Sequence, residues 1–108
     1  MNMTIREISD TFGVSRRAIQ GYEKAGLISA SGKNERGHLL YDETAQKRIL
    51  QIKFFQQTGF TIKEITDLIN APNDILKDAL EKQLKKLNEE KKNIERLICK
   101  MYALIEEL

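Results

Sequence analysis

There is no tryptophan in this 108-residue chain, and only one cysteine, one proline and one histidine. The lone Cys99 excludes an internal disulfide and a cysteine-only metal site, and suits a reducing compartment. His38 has no cysteine or second histidine to share a metal with, so neither a metal nor any other cofactor is expected. No apolar run approaches the ~20 residues that span a bilayer. The opening MNMTIREISD lacks the apolar core of a signal peptide. A cytoplasmic protein without a membrane partner is therefore expected. Ser/His/Asp sets, paired carboxylates and phosphate-cradling glycine loops are missing too, and no enzyme is expected.

What remains is a charged, moderately apolar chain. Charged residues make up 31%, apolar residues 41% and aromatics only 6%. With a single proline, that mixture predicts a mainly all-α fold. The formal net charge of +2 is unevenly placed. Residues 1–71 carry ten Lys/Arg against eight Asp/Glu, whereas residues 72–108 carry eight of each. Any basic face must come from local clustering in the first part.

Thr4-x-x-Glu7 is a capping box that opens a first helix, with Ile5, Ile8 and Phe12 on one face and Gly13 at its end. Ser15 is an N-cap for a second helix over RRAIQGYEKA, stopped by Gly26. Leu27 and Ile28 begin an extended stretch. SGKNERG then reads as a turn between two short strands, with HLLY returning, which predicts a β-hairpin. Asp42 caps a helix from about Glu43 to Thr58, in which Ala45, Ile49, Ile52 and either Phe55 or Gln56 keep the helical period. A second capping box, Thr61-x-x-Glu64, opens a short helix with Ile62, Ile65, Leu68 and Ile69 inward. Pro72 marks the expected domain boundary, between residues 1–71 and 72–108.

The remainder is one helical pattern from about Asp74. Leu80, Leu84, Leu87, Lys91, Ile94, Ile98, Met101, Ile105 and Leu108 alternate at spacings of four and three, a heptad seam apolar everywhere but Lys91. At 1.5 Å per residue this is a rod of roughly 50 Å. A small head cannot bury such a seam, so a partner helix is required, most simply from a second copy of the chain. Lys91 has two possible roles: setting the register of pairing, or snorkelling beside Glu89 or Glu95. Leu97, Tyr102 and Leu104 widen the stripe near the end, and Cys99 is expected to pack there.

Residues 4–26 have helix-turn-helix spacing, in which the amino-terminal part of the second helix enters the major groove of double-stranded DNA. Ser15, Arg16, Arg17 and Gln20 are placed to do so, since arginine reaches guanine edges or phosphates. The basic hairpin tip, Lys33, Asn34 and Arg36, is placed to grip adjacent backbone as a wing. Tyr22 either bonds a phosphate or packs between helix and wing. His38 is a strand residue or a phosphate contact. Lys47 and Arg48 either touch phosphates or form a solvated face.

The stretches IREISDTFGVSRRAIQGYEKAGLI, GHLLY and GFTIKEITDLI occur in the order expected of the MerR family, and residues 4–69 resemble its DNA-binding domain. That resemblance implies a winged helix-turn-helix head and a long helix that pairs antiparallel in a homodimer. It places Tyr22 and Tyr41 among the DNA contacts. It also implies distortion of a pseudo-palindromic promoter spacer, acting indirectly on RNA polymerase. Members that sense drugs or metals carry a further module after the rod; with Leu108 last, a short member lacking an effector domain is expected. The sequence departs from the family pattern at Gln20 and Gly21, where Arg and Tyr are usual, and at His38 and Leu39, where Tyr and Arg are usual. Those departures support a rival expectation, a protein-interaction adaptor that keeps the fold without DNA binding.

Overall fold

A single side-chain oxygen sets the start of each helix in the first part of the chain. Thr4 caps α1 (Ile5–Phe12), Ser15 caps α2 (Arg16–Lys24), Asp42 caps α3 (Glu43–Gln57) and Thr61 caps α4 (Ile62–Leu68). Each accepts from a backbone N–H that the first turn would otherwise leave without a partner, stabilising the helix by about 1 kcal/mol. At Thr4 and Thr61 the capping box is complete: Glu7 and Glu64 reach back to the cap backbone at 3.0 Å. Those hydrogen bonds from Thr4 hold the Glu7 carboxyl below the usual carboxylate range. The computed structural model describes residues Met1–Leu108 and divides into two compact units, Met1–Asn70 and Ala71–Leu108.

In the first unit the wing is a three-stranded antiparallel sheet, one strand more than the expected hairpin. β1 (Met3–Thr4), β2 (Gly32–Lys33) and β3 (Leu39–Tyr41) lie in the order β1-β3-β2, with Met3 opposite Tyr41 and Lys33 opposite Leu39. Gln46 explains why the amino terminus joins. Its side chain is buried, and its Nε2 donates to the carbonyls of Met1 (2.7 Å) and Tyr41 (3.0 Å). The terminal amine also pairs with Glu43 Oε1 at 2.6 Å.

The core is built from isoleucines at helical spacing. Ile8, Ile19, Ile49, Ile52 and Ile65 are fully buried, one or two from each of the four helices. Full burial of such a side chain stabilises by roughly 1.5–3 kcal/mol. Phe55, rather than Gln56, takes the inward position on α3 and meets Phe60 edge-on at 5.9 Å. Ile5, Phe12, Ile62, Leu68 and Ile69 are only half-buried, so the inward faces of α1 and α4 are narrower than their periodicity suggests. Gly13 turns the chain between α1 and α2 in the left-handed region at φ +66°, where a Cβ would be strained. Lys53 Nζ donates to the carbonyl of Phe12 at 2.7 Å, satisfying the end of α1 beside that turn.

Two tyrosine hydroxyls add polar ties inside the head. Tyr22 donates to Gln56 Oε1 at 2.6 Å, joining α2 to α3, and Tyr41 donates to Glu23 Oε1 at 2.8 Å, joining β3 to α2. Both rings are in the core, 3% and 2% exposed. Burial raises the Tyr22 hydroxyl. Burial, followed by donation to the charged Glu23, pushes Tyr41 up to about 12.

The second unit is α5 (Asn73–Glu107), 35 residues following Pro72 and without a side-chain cap. No residue of it is buried. Ile94, Ile98, Met101, Ile105 and Leu108 of the seam are all exposed, as are Leu97, Tyr102 and Leu104 beside it. Cys99 is exposed as well, so the packing expected of it is not present within one chain. No helix of the structure is long and apolar enough to cross a membrane.

Because Tyr41 holds its proton more tightly when folded than unfolded, its stabilising contribution is complete below pH ~10 and lost as pH rises towards 12. Urea midpoints measured from about pH 9 to about 11.5 should therefore fall more steeply for the natural chain than for Tyr41→Phe. Parallel falls would count against this. Gly21 lies inside α2 with nothing within 4 Å of where a Cβ would sit. Gly21→Ala should raise stability by about 0.5–1 kcal/mol in a thermal melt; a lowered melting point would contradict the helix assignment there.

Candidate nucleic-acid interface

A nine-residue helix with one buried face must show the other to solvent. In α2, Ile19 and Tyr22 are buried and Ala18 is half-buried, while Arg16, Arg17, Gln20, Gly21 and Lys24 are exposed. Residues four apart share a face of a helix, so Arg16 and Gln20 stand together. Both border a cleft of about 760 Å³ between α2 and the wing, into which Arg6, Arg36, His38 and Leu39 also face. Arg17 is exposed outside that cleft, on the outward side of the helix. Ser15 is exposed at the amino end, its oxygen already accepting from the N–H of Ala18 at 3.0 Å, which leaves its O–H to donate outward.

The wing tip is a tight turn organised by Asn34. Its Oδ1 accepts from the backbone of Arg36 (2.9 Å) and of His38 (3.0 Å), while its own N–H donates to the carbonyl of His38 at 2.9 Å. The sequence reading placed Asn34 among the DNA contacts; in the structure its carboxamide oxygen is spent on shaping the turn. The gain is presentation: Lys33, Arg36 and His38 project from it and are exposed. Neither these residues nor Arg16 and Arg17 make an ion pair within the chain. Arg16 and Arg17 on α2 and Lys33 and Arg36 on the wing, exposed and without an ion pair, are ready to neutralise anions without first breaking an internal bond.

Of the two tyrosines expected at the interface, Tyr41 borders the cleft and Tyr22 does not. Both rings are buried, with their hydroxyls engaged by Gln56 and Glu23; Tyr22 is tied to α3 rather than to the wing, and Tyr41 supports the wing from beneath. Lys47 is exposed on α3, and Arg48 bonds Asn70 Oδ1 at 3.4 Å.

The cleft is also lined by residues not named for the site from sequence, among them Arg6, Glu7, Glu23 and Leu39. Arg6 carried a usable signal, since it lies off the Ile5–Ile8–Phe12 face and next to a cap that brings the start of α1 to the sheet. Glu23 carried none, because its partner is 18 residues away. Leu39 is 40% exposed, an apolar residue at the cleft wall. No group of His, Cys, Asp and Glu is arranged to hold a metal ion.

Comparison with known proteins matches this architecture. The model of the MerR HTH family of regulatory proteins matches residues 3–71. The HTH-type transcriptional activator mta of Bacillus subtilis (strain 168) is 30% identical over 98 residues, which cover 91% of this chain and 38% of that protein. The chain thus spans about two fifths of that relative's length. Among solved structures, the N-terminal part of MtaN, the Bacillus subtilis multidrug transporter activator, superimposes with a TM-score of 0.71 at 27% identity, covering 95% of this chain and 97% of that one. HiNmlR, a MerR family regulator lacking the sensor domain and bound to promoter DNA, shares the fold with a TM-score of 0.72 at 19% identity, covering 91% and 82%. With the family model matching well over half of its length, and with these relatives, this chain belongs to the MerR HTH family of regulatory proteins.

Proposed function

We propose that the protein is a sequence-specific, double-stranded-DNA-binding transcriptional regulator that acts as a homodimer on a pseudo-palindromic promoter site. The observation that carries this reading is the pairing of α2 with the wing. Arg16 and Gln20 on one, and Arg36 and His38 on the other, face a shared cleft, while Arg17 stands outward beside it. Residues 1–71 form the reading head in this scheme and residues 72–108 the dimerising element.

The contact set follows from exposure. Arg16, Arg17, Gln20 and Ser15 act from the helix, Lys33, Arg36 and His38 from the wing, and Arg6 joins them from α1. Phosphate contacts fix register, and base-edge contacts supply sequence choice. In the homodimer the ridge from Leu80 to Leu108 on α5 is buried against the antiparallel ridge of a second copy, with Lys91 at its one polar step. The two heads then stand about one DNA turn apart. Distortion of the promoter spacer, which would realign the promoter for RNA polymerase, rests on family membership. It implies that central steps of the site matter without being touched. An adaptor role has less support, because three arginines facing one cleft suit a polyanion better than a neutral protein surface.

Binding to sites selected from a random DNA pool, titrated at several salt concentrations, tests the DNA reading. With about six phosphates neutralised, the log-log salt slope should be roughly −5; a flat response would remove it. Sedimentation at micromolar concentration tests the rod. The natural chain should run as a dimer, and Ile94→Glu with Ile98→Glu should run as a monomer that stays helical in its head. A natural chain found only as single protomers would overturn the arrangement.

A further inference from the structure

Two carboxylates that a DNA backbone would repel border the cleft between α2 and the wing: Glu7, which is spent on the capping box of α1, and Glu23. Glu23 stands there in company with Arg16, Gln20, Arg36 and His38, and no Lys or Arg pairs with it. Its Oε1 instead accepts from the hydroxyl of Tyr41 at 2.8 Å. Tyr41 is a fixed point. Its ring is 2% exposed, its carbonyl accepts from Gln46 Nε2 at 3.0 Å, and its backbone pairs with Met3 across the sheet. Glu23 lies in the last turn of α2, so this bond ties the far end of the recognition helix to the strand from which the wing rises. It is the one hydrogen bond joining α2 to the sheet; the other side-chain bond of α2 across the fold, from Tyr22, goes to α3.

We propose that the Glu23–Tyr41 hydrogen bond is a strut that sets the separation between recognition helix and wing, and that Glu23 is a positioning residue for DNA binding, not a contact to it. The inference rests on the DNA-binding reading above. Helix and wing must engage one duplex together, and each contact is made at full strength only if the other is already in place. A carboxylate hydrogen-bonded by a buried phenol is a charge-assisted, directional tie, which suits that task. Its negative charge is a small cost against phosphates, which is why charge and geometry predict opposite signs when Glu23 is removed.

The test measures affinity for one pool-selected duplex by fluorescence anisotropy, at a temperature where circular dichroism shows each variant folded. Glu23→Gln keeps an acceptor oxygen and loses the charge, and should bind at least as tightly as the natural chain. Glu23→Ala and Tyr41→Phe should each bind roughly five- to tenfold more weakly. The double variant should be no weaker than the weaker single one, as expected for two ends of one bond. Should Glu23→Ala bind as tightly as Glu23→Gln, Glu23 does nothing but repel and the strut is overturned. Weakening by Tyr41→Phe alone would make Tyr41 a direct phosphate contact, which also overturns it. Tyr41→Phe removes a single oxygen and keeps the packed ring, so even if Glu23→Ala does not fold, unchanged binding by Tyr41→Phe rejects the proposal. A natural chain that binds no DNA from the pool would instead remove the DNA reading itself, and the strut with it.

Discussion

A nine-residue helix does not persist in water on its own, because nucleation is costly and too few hydrogen bonds follow it. Everything outward-facing on α2 therefore depends on what holds its inner face. Ile19 is fully buried among the other core isoleucines, Tyr22 packs beside it and ties to α3, and Ser15 caps the amino end. These anchors act on different turns of the helix, so they restrain its rotation as well as its position. The exposed cations at Arg16 and Arg17 inherit that restraint. A side chain on a rigid element keeps more of its binding energy than one on a loop, because less ordering remains to be done when the ligand arrives.

The rod solves the opposite problem. α5 is long enough to be regular without a cap, but its apolar ridge finds no cover within its own unit. A monomeric protein rarely leaves such a continuous stripe in water. The heptad spacing makes a second helix the matching cover, and only a partner of similar length can cover the whole ridge. The head folds around its own core, whereas the rod has no buried residue of its own. On the homodimer reading, pairing of the two copies is thus carried by the ridge of α5 and not by the core of the head.

Local signals were legible in the sequence and distant ones were not. Each capping residue acts within three positions of itself, which is why Thr4, Ser15, Asp42 and Thr61 could be named from sequence and stand in those roles. The inward period of α3 was readable for the same reason. The extra strand β1 was not, since two residues carry no alternation, and its pairing depends on Tyr41 and Gln46 far along the chain. The role of Tyr22 stayed open for a related cause. A tyrosine at a helix surface looks alike in sequence whether its hydroxyl meets a phosphate or a glutamine; only the 34-residue separation bridged between Tyr22 and Gln56 decides it. Asn34 shows the same ambiguity at short range, where its turn-forming role and a ligand role call for the same residue.

The departures from the family pattern take on a definite meaning in this light. Gln20, Gly21, His38 and Leu39 are all exposed, and none belongs to the isoleucine core or to the ties that hold α2. Gly21 has open space where a side chain would be. The changes therefore alter what the surface offers and leave its support intact. If folding had driven them, they would fall where packing is tight; they fall instead on the outward face of α2 and on the wing. With Leu39 in place of a cation at the cleft wall, the grip proposed for DNA moves towards Arg6, Arg16 and Arg36, which border the same cleft from three different elements. A grip spread over three elements is more sensitive to their mutual spacing than one concentrated on a single helix, and that places the weight of recognition on the geometry beneath the surface.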